Sequence, residues 1–187
     1  MATYYISDLH LGHKNVLAYD NREFSSIEEH DKALIDNWNS VVGTDDDVWV
    51  LGDISWYPPM KTIGLVEQLN GTKHLCVGNH DKKLLKNKDV RSLFCEIVYY
   101  KEIEVSDDCG IVLCHYPIPC YNHHFHGWYH LYGHVHTGFE WNMIKQFQYE
   151  MKELYSKPSR AYNVGCMVPG MNYTPRTLEE IISIFGE

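Results

Sequence analysis

The sequence lacks the features that mark membrane and secreted proteins. No apolar run reaches the roughly 18 residues that a membrane-spanning helix needs. The first residues enter a strand pattern directly, without the basic start and apolar stretch of a signal peptide. The six cysteines include no C-x-x-C pair, and several lie in apolar segments where free thiols are commonly buried. We therefore expect a cytoplasmic protein with reduced thiols and no membrane segment.

Positive charge is also scarce. The chain has 16 Lys and Arg residues against 25 Asp and Glu, a formal net charge of −9 at pH 7. This balance argues against extended nucleic-acid binding, although bound cations would make a local site positive.

Internal repeats and linkers are absent too, and 187 residues with 44% hydrophobic content suit one domain with a substantial core. We expect a single domain over residues 1–187.

Strand and helix patterns alternate in the first half of the chain. Ser26 and Glu29 form a capping-box pattern at the start of an amphipathic segment, and Pro58-Pro59 can open a second helix. The predicted order is strand 3–7, helix 26–42, strand 48–51, helix 58–69 and strand 73–77. This order predicts an α/β fold, in which ligands bind beyond the carboxyl ends of the strands.

The second half shows more period-two alternation, which favours antiparallel strands. Strands are predicted over 94–105, 111–114, 128–132 and 161–164, with helices over 141–154 and 177–185. The last helix begins with a second capping-box pattern, Thr177 and Glu180.

Chemically reactive side chains follow the apolar strands. The set contains two carboxylates, one amide and four imidazoles: Asp8, His10, Asp53, Asn79, His115, His134 and His136. Mixed oxygen and nitrogen donors suit divalent Mn, Fe or Zn. Seven donors are too many for one tetrahedral ion, whereas they suit two ions that share a carboxylate. The alternative is that these residues are ordinary polar groups in turns.

Five short blocks contain these residues. They are Asp8-Leu9-His10, Gly52-Asp53, Gly78-Asn79-His80-Asp81, Cys114-His115-Tyr116-Pro117 and Gly133-His134-Val135-His136. In this order they resemble the calcineurin-like metallophosphoesterase family, in particular its small, core-only bacterial or phage-type members. The resemblance implies a four-layer α/β/β/α sandwich with two mixed sheets and a dinuclear metal site at the carboxyl-terminal edge of the strands.

The resemblance also implies a role for each ligand. Asp8, His10 and His136 would hold the first metal ion, and Asp53 would bridge both ions. The remaining three residues, Asn79, His115 and His134, would hold the second ion.

The implied activity is metal-dependent hydrolysis of a phosphodiester or phosphomonoester, with the diester favoured, through a metal-bridging hydroxide. His80, oriented by Asp81, would protonate the leaving group or stabilise charge on the phosphoryl group. The substrate would be a small phosphate ester, for example a nucleotide. The alternative is a noncatalytic metal-binding scaffold on the same fold, which predicts a lost ligand or a missing histidine beside Asn79. In this sequence all seven ligands and the histidine beside Asn79 are present.

Other residues allow two interpretations each. His13 could contact substrate or only hydrogen-bond its loop, and Arg22 could bind a phosphate or be an exposed loop arginine. His123 and His124 lie in an aromatic segment, 121–128, that could form a wall of the site or a surface loop. The lysines between 82 and 88 could attract anions or form a solvated helix face.

Overall fold

Two β-sheets face each other at the centre of the computed structural model, which describes residues 1–186. The strands are β1 (Thr3–Ile6), β2 (Asp47–Val50), β3 (Thr72–Cys76), β4 (Glu96–Val98), β5 (Tyr100–Ser106), β6 (Cys109–Cys114), β7 (Tyr129–Tyr132), β8 (Ala161–Asn163) and β9 (Arg176–Thr177). The five-stranded sheet has the order β4-β3-β2-β1-β9, and the four-stranded sheet has the order β5-β6-β7-β8.

Both sheets are mixed, with one antiparallel strand at an edge. In the five-stranded sheet only β9 is antiparallel to its neighbour, and in the four-stranded sheet only β5 is. The second half is more antiparallel than the first, as predicted, because both antiparallel pairs involve its strands, but β6, β7 and β8 pair in parallel. Long connections lead from β6 to β7 and from β7 to β8, and connections of this length allow parallel pairing.

The predicted strand 94–105 is in fact two strands in different sheets. β4 pairs with β3 in the five-stranded sheet, and β5 pairs with β6 in the four-stranded sheet. The chain changes sheets at the exposed residue Tyr99. Residues 97–100 are Ile-Val-Tyr-Tyr, an unbroken apolar run without a turn residue, so the pattern alone could not reveal the change of partner.

Most helices cover the outer faces of the two sheets, whereas the last helix packs against the layer between them. They are α1 (Val16–Tyr19), α2 (Ile27–Val41), α3 (Pro59–Val66), α4 (Asp81–Leu84), α5 (Lys88–Arg91), α6 (Phe139–Tyr155) and α7 (Leu178–Phe185). Ser26 caps α2 by accepting a hydrogen bond from the Glu29 N–H, and Thr177 and Glu180 form the capping box of α7. Within residues 1–186, no helix combines the length and apolarity of a membrane span.

Alternating strand residues separate the core into layers. Val48 and Val50 of β2 face Leu34 and Trp38 of α2, whereas Trp49 faces the other sheet. Between the sheets, the buried side chains include Tyr5, Leu51, Cys76, Ile111, Leu113 and Leu131. Beyond the four-stranded sheet, Val112 and Tyr132 pack against α6. The result is a four-layer α/β/β/α sandwich, which confirms the predicted fold class.

Candidate metal centre

All seven candidate ligands lie in loops that follow the strands, at one edge of the two sheets. Five of them have left-handed backbone: Asp8 (φ 57°), His10 (φ 51°), Asp53 (φ 56°), His134 (φ 70°) and His136 (φ 47°). A non-glycine residue adopts this conformation at a cost of about 1–3 kcal/mol, and such positions concentrate at binding and catalytic sites. Five of the ten non-glycine residues with left-handed backbone in residues 1–186 lie at this edge, which makes it the candidate site.

Two glycines allow these loops to approach one another closely. A Cβ atom on Gly78 would overlap Asp53 Oδ1, and a Cβ atom on Gly133 would overlap Asp8 Oδ2. Any other residue at either position would push a carboxylate out of place. The glycines that open these two sequence blocks are therefore part of the site.

The structure brings the side chains of all seven candidates together. Ligand atoms of Asp8, His10 and His136 lie within 4.8 Å of one another, as do those of Asp8, Asp53 and His115. Asp53 Oδ2 is 3.8 Å from His10 Nε2 and 3.7 Å from His115 Nε2, so it lies between the two sets. Asn79 and His134 complete the cluster through contacts with His115 and with each other.

Lone pairs face each other around Asn79. The His115 Nδ1–H donates to the Leu51 carbonyl at 2.6 Å, which leaves a lone pair on Nε2 in the neutral ring. Asn79 Oδ1, also an acceptor, lies 2.9 Å from that nitrogen and 3.0 Å from His134 Nδ1. An acceptor that faces the unprotonated Nε2 of His115 at this distance is favourable only when a cation or a proton lies between the two atoms, so this donor set fits a metal ion.

The orientation of His136 is set by Asp20, a residue that the sequence analysis did not single out. The His136 Nδ1–H donates to Asp20 Oδ1 at 2.7 Å, and Nε2 faces Asp8 Oδ1 at 3.5 Å. Burial opposes the charged form, yet hydrogen bonds to Asp20 and Asp8 raise the pKa of His136 to about 10. A carboxylate on the second ring nitrogen is the usual partner of a metal-ligating histidine. No sequence pattern marked Asp20, because it lies outside the five blocks.

Two buried carboxylates lie in the cluster without a Lys or Arg partner. Within residues 1–186, the charged partners within 4.0 Å of the Asp8 and Asp53 oxygens are all histidines. Burial raises the pKa of Asp53 to about 7. Burial acts in the same direction on Asp8, but the hydrogen bond and the charge of His136 hold its pKa below the usual range. A divalent cation would compensate this buried negative charge.

Arg22 lies behind the cluster, not at its opening. Its side chain is 0% exposed, and its guanidinium donates to the Asp8 and Leu9 carbonyls and to both Asp20 and His30. Neither sequence interpretation fits this position, because a buried, fully bonded arginine is not an exposed loop residue and cannot reach a phosphate. Arg22 instead supports the backbone of the Asp8 loop and the Asp20 carboxylate.

Asp81 does not hold the imidazole of His80. Its carboxylate accepts the backbone N–H groups of Asp53 (2.9 Å), Ile54 (3.0 Å) and Gly78 (2.8 Å). The expected orienting contact is therefore wrong, and Asp81 instead joins the loops that follow β2 and β3. His80 is positioned by its own backbone N–H, which donates to Asp53 Oδ1 at 3.0 Å.

A cavity of about 320 Å³ opens over the cluster. His13, Trp56 and His80 line it beside five of the candidate ligands. The His13 ring stacks on Trp56 at 4.1 Å between centroids, so His13 lies at the opening. His123 and His124, by contrast, contact Trp128, His126, Tyr121 and Phe125 of their own segment, and the structure does not bring them to the cluster.

The fold and the cluster together define the class: a two-sheet α/β protein whose Asp and His residues could hold a metal ion. The chain is 34% identical over 183 residues to the uncharacterized protein MJ1445 of Methanocaldococcus jannaschii, covering 97% of this chain and 89% of that protein. It belongs to the same family as this archaeal protein. No protein-family model matches the chain.

A phage protein and two solved structures are also similar. The Gene 66 protein of Mycobacterium phage L5 is 42% identical over 94 residues, which are 49% of this chain and 45% of that protein. The protein of unknown function AQ665 from Aquifex aeolicus has the same fold, with 26% identity, a TM-score of 0.72 and coverage of 98% and 99%. Pseudomonas putida nuclease MPE is more distant, at 21% identity and a TM-score of 0.43 over 72% of this chain and 60% of that one.

Proposed function

We propose that this protein is a metal-dependent phosphoesterase of the calcineurin-like type that hydrolyses phosphodiesters in preference to phosphomonoesters. The observation that carries the proposal is the cluster itself. Two carboxylates, one amide and four imidazoles converge at the joined edge of the sheets, with the Asn79 amide oxygen facing Nε2 of His115, beneath an open cavity. A purely structural polar cluster would pair its donors with acceptors.

The cluster has the donors for two divalent ions, of which Mn, Fe and Zn suit mixed oxygen and nitrogen ligands. We assign Asp8, His10 and His136 to one ion, and Asp53 as the donor common to both. The second ion would take Asn79, His115 and His134. Bound ions would supply Lewis acidity toward the phosphoryl oxygens and an acidified water. Asp20 and the Leu51 carbonyl would hold two of the ligand rings in orientation.

His80 is the group that we propose to act on the leaving oxygen. Its side chain is 45% exposed and faces the cavity, with Nε2 3.9 Å from Asp53 Oδ2. Burial lowers the pKa of His80, so the ring is mainly neutral at pH 7 and has one N–H to donate. This N–H would hydrogen-bond the leaving oxygen or a phosphoryl oxygen as negative charge develops there.

The test is hydrolysis of bis(p-nitrophenyl) phosphate beside p-nitrophenyl phosphate by metal-stripped protein to which Mn, Zn or Fe is added back. We expect turnover only with metal, and faster turnover of the diester. Asp53→Ala should abolish it, because both ligand sets lose the carboxylate that lies between them.

Asp108→Ala is the matched control, since Asp108 is an exposed aspartate in the turn between β5 and β6. It should retain wild-type turnover. If folded protein binds two metal ions and still hydrolyses neither substrate, the noncatalytic scaffold would be the correct function. A faster monoester reaction would instead reverse the proposed preference.

A further inference from the structure

The cavity over the cluster continues into two larger cavities along the surface. Trp56, Asn79 and His80 line both the first cavity and a second one of about 660 Å³. Lys82 in turn lines both the second cavity and a third, also of about 660 Å³. The shared wall residues place the three cavities in a row that starts at the candidate metal centre, and we call this row the groove. The groove is much larger than a single phosphate group requires.

The far part of this groove is basic, although the protein is acidic. Half of the ten residues 82–91 are Lys or Arg and only one is acidic, in a chain of net charge −9. All five cations are exposed, and none has a carboxylate partner within 4.0 Å in the described part of the chain. We call them the basic strip: Lys82, Lys83, Lys86, Lys88 and Arg91. Unpaired cations along a groove bind successive phosphates.

The near part of the groove is aromatic. The His13 ring stacks on Trp56 at 4.1 Å between centroids, and the His80 ring lies at 4.2 Å, tilted by 47°. Trp56 is still 40% exposed, so part of the indole is open for a base to contact. It lines both the cavity over the cluster and the next one. Partly exposed aromatic rings in a charged groove bind unpaired bases by stacking.

We infer that the substrate of the proposed phosphoesterase is a short single-stranded oligonucleotide. The scissile phosphodiester would lie over the cluster, a neighbouring base against Trp56, and the following phosphates along the basic strip. A base in a duplex is already stacked and paired, so it could not use Trp56 in this way. In the reaction, the oxygen of one water bonds to phosphorus, the ester P–O bond breaks, and the leaving oxygen takes a proton.

The inference rests on the proposed function, and its first test is a charge reversal in the strip. Metal-loaded wild type and Lys82→Glu/Lys83→Glu are compared on a single-stranded oligothymidylate and on bis(p-nitrophenyl) phosphate. We expect the ratio of kcat/KM for the oligonucleotide to that for the chromogenic diester to fall at least about tenfold. The salt dependence of the oligonucleotide reaction should weaken as well, by a slope of about 0.7 per lost phosphate contact.

Lys145→Glu/Lys157→Glu is the matched control. It changes the net charge by the same amount at two exposed lysines that lie on and just after α6, outside the groove. The ratio should stay within about twofold of wild type, because nonspecific repulsion of a polyanion depends mainly on local charge. An equal fall in both double variants would overturn the strip assignment.

The second test separates stacking from charge. Trp56→Ala should lower the oligonucleotide to chromogenic ratio at least about fivefold, whereas Trp56→Phe should preserve most of it, since stacking on an aromatic ring contributes about 1–3 kcal/mol per base. The single strand should be cleaved faster than the matching duplex. Equal rates on both, or equal losses in the Ala and Phe variants, would overturn the role of Trp56.

Two further outcomes are informative. If the strip variant loses as much activity on a phosphoserine peptide as on the oligonucleotide, the strip attracts anions in general and the inference is wrong. If no phosphate ester is hydrolysed, the proposed function is wrong, but the oligonucleotide site can still be tested. The test is then the binding of a labelled oligothymidylate to metal-loaded protein, measured by fluorescence anisotropy. Binding that depends on the strip would support the oligonucleotide site, and absence of binding would overturn it.

Discussion

The two sheets contribute different chemistry to the same edge. Loops after β1, β2 and β3 of the five-stranded sheet supply both carboxylates, Asp8 and Asp53, together with the amide of Asn79. Loops after β6 and β7 of the four-stranded sheet supply His115, His134 and His136, all imidazoles. The oxygen donors and most nitrogen donors therefore meet only where the two sheets pack together.

The sheets are also joined directly at this edge. The Ser7 N–H donates to the Val164 carbonyl at 2.9 Å, and the Cys166 N–H donates to the Ser7 carbonyl at 2.8 Å. The backbone N–H of His134 donates to the Asp8 carboxylate at 3.0 Å. Neither sheet alone therefore supplies all the candidate ligands, and the joint between the sheets brings them together.

The strongest test of this comparison removes one donor from each sheet. Asp53→Asn and His115→Gln should each lower kcat/KM on a phosphodiester at least about 1,000-fold, a loss typical of removing one member of a group that acts together. The double variant should fall little further. Steady-state kinetics with excess metal measures all three. A double variant whose loss equals the product of the single losses would show that the sheets act independently.

The next largest effect concerns the stability of the five-stranded sheet. Asp81 accepts three buried backbone N–H groups, from Asp53, Ile54 and Gly78. Asp81→Ala leaves them unpaired at about 1–3 kcal/mol each, so the free energy of unfolding should fall by about 3 kcal/mol or more. Urea denaturation measures the loss, and Asp108→Ala is the exposed control. A loss below about 1 kcal/mol would mean that the loops are held without Asp81.

The free energy of unfolding should also depend on pH through His130 of β7, in the four-stranded sheet. Burial lowers the pKa of His130 from 6.5 to about 4, and both ring nitrogens are hydrogen-bonded, to the Val112 carbonyl and the Ile118 N–H. Between these two pH values the unfolded chain binds more protons, so the stability contributed by the neutral ring is complete above pH 6.5. It falls as the pH drops toward 4, by roughly 3 kcal/mol in all.

The measurement for His130 is urea denaturation at several pH values from 7 to 4. His130→Gln should be less stable at neutral pH but lose less stability on acidification than the wild type. Parallel curves for the two proteins would show that His130 does not contribute to the acid sensitivity.

The smallest expected effect comes from outside both sheets. Asp20→Asn keeps the size of the side chain but weakens the hydrogen bond that orients His136. Metal affinity, measured by isothermal titration calorimetry, should fall about 10- to 100-fold, as is usual for the partner of a ligating histidine. Asp36→Asn, an exposed position on α2, should leave the affinity unchanged. An unchanged affinity in Asp20→Asn would mean that His136 needs no second partner.

Local patterns predicted the parts of the fold that depend on neighbouring residues. The N-cap at Ser26, the capping box at Thr177 and the buried strand at residues 48–51 are examples, because caps and burial periodicity act within a few residues. At Ser26 only half of the predicted box forms, since the Glu29 carboxylate accepts from Ser25 instead. The short elements α1 and β9 were missed, since four-residue and two-residue segments carry too little pattern. The change of sheet at Tyr99 was missed because alternation does not report which strand is the partner.

The sequence by itself determined the fold class and the chemical identity of the cluster, because strand ends in an α/β sheet place their polar residues at a common edge. Only the tertiary structure decided which other side chains contact the cluster and the loops around it. It buried Arg22 behind the cluster, turned Asp81 toward backbone amides and brought Asp20 to His136. These contacts join residues from separate loops, and a side-chain hydrogen bond depends on orientations that no spacing along the chain specifies.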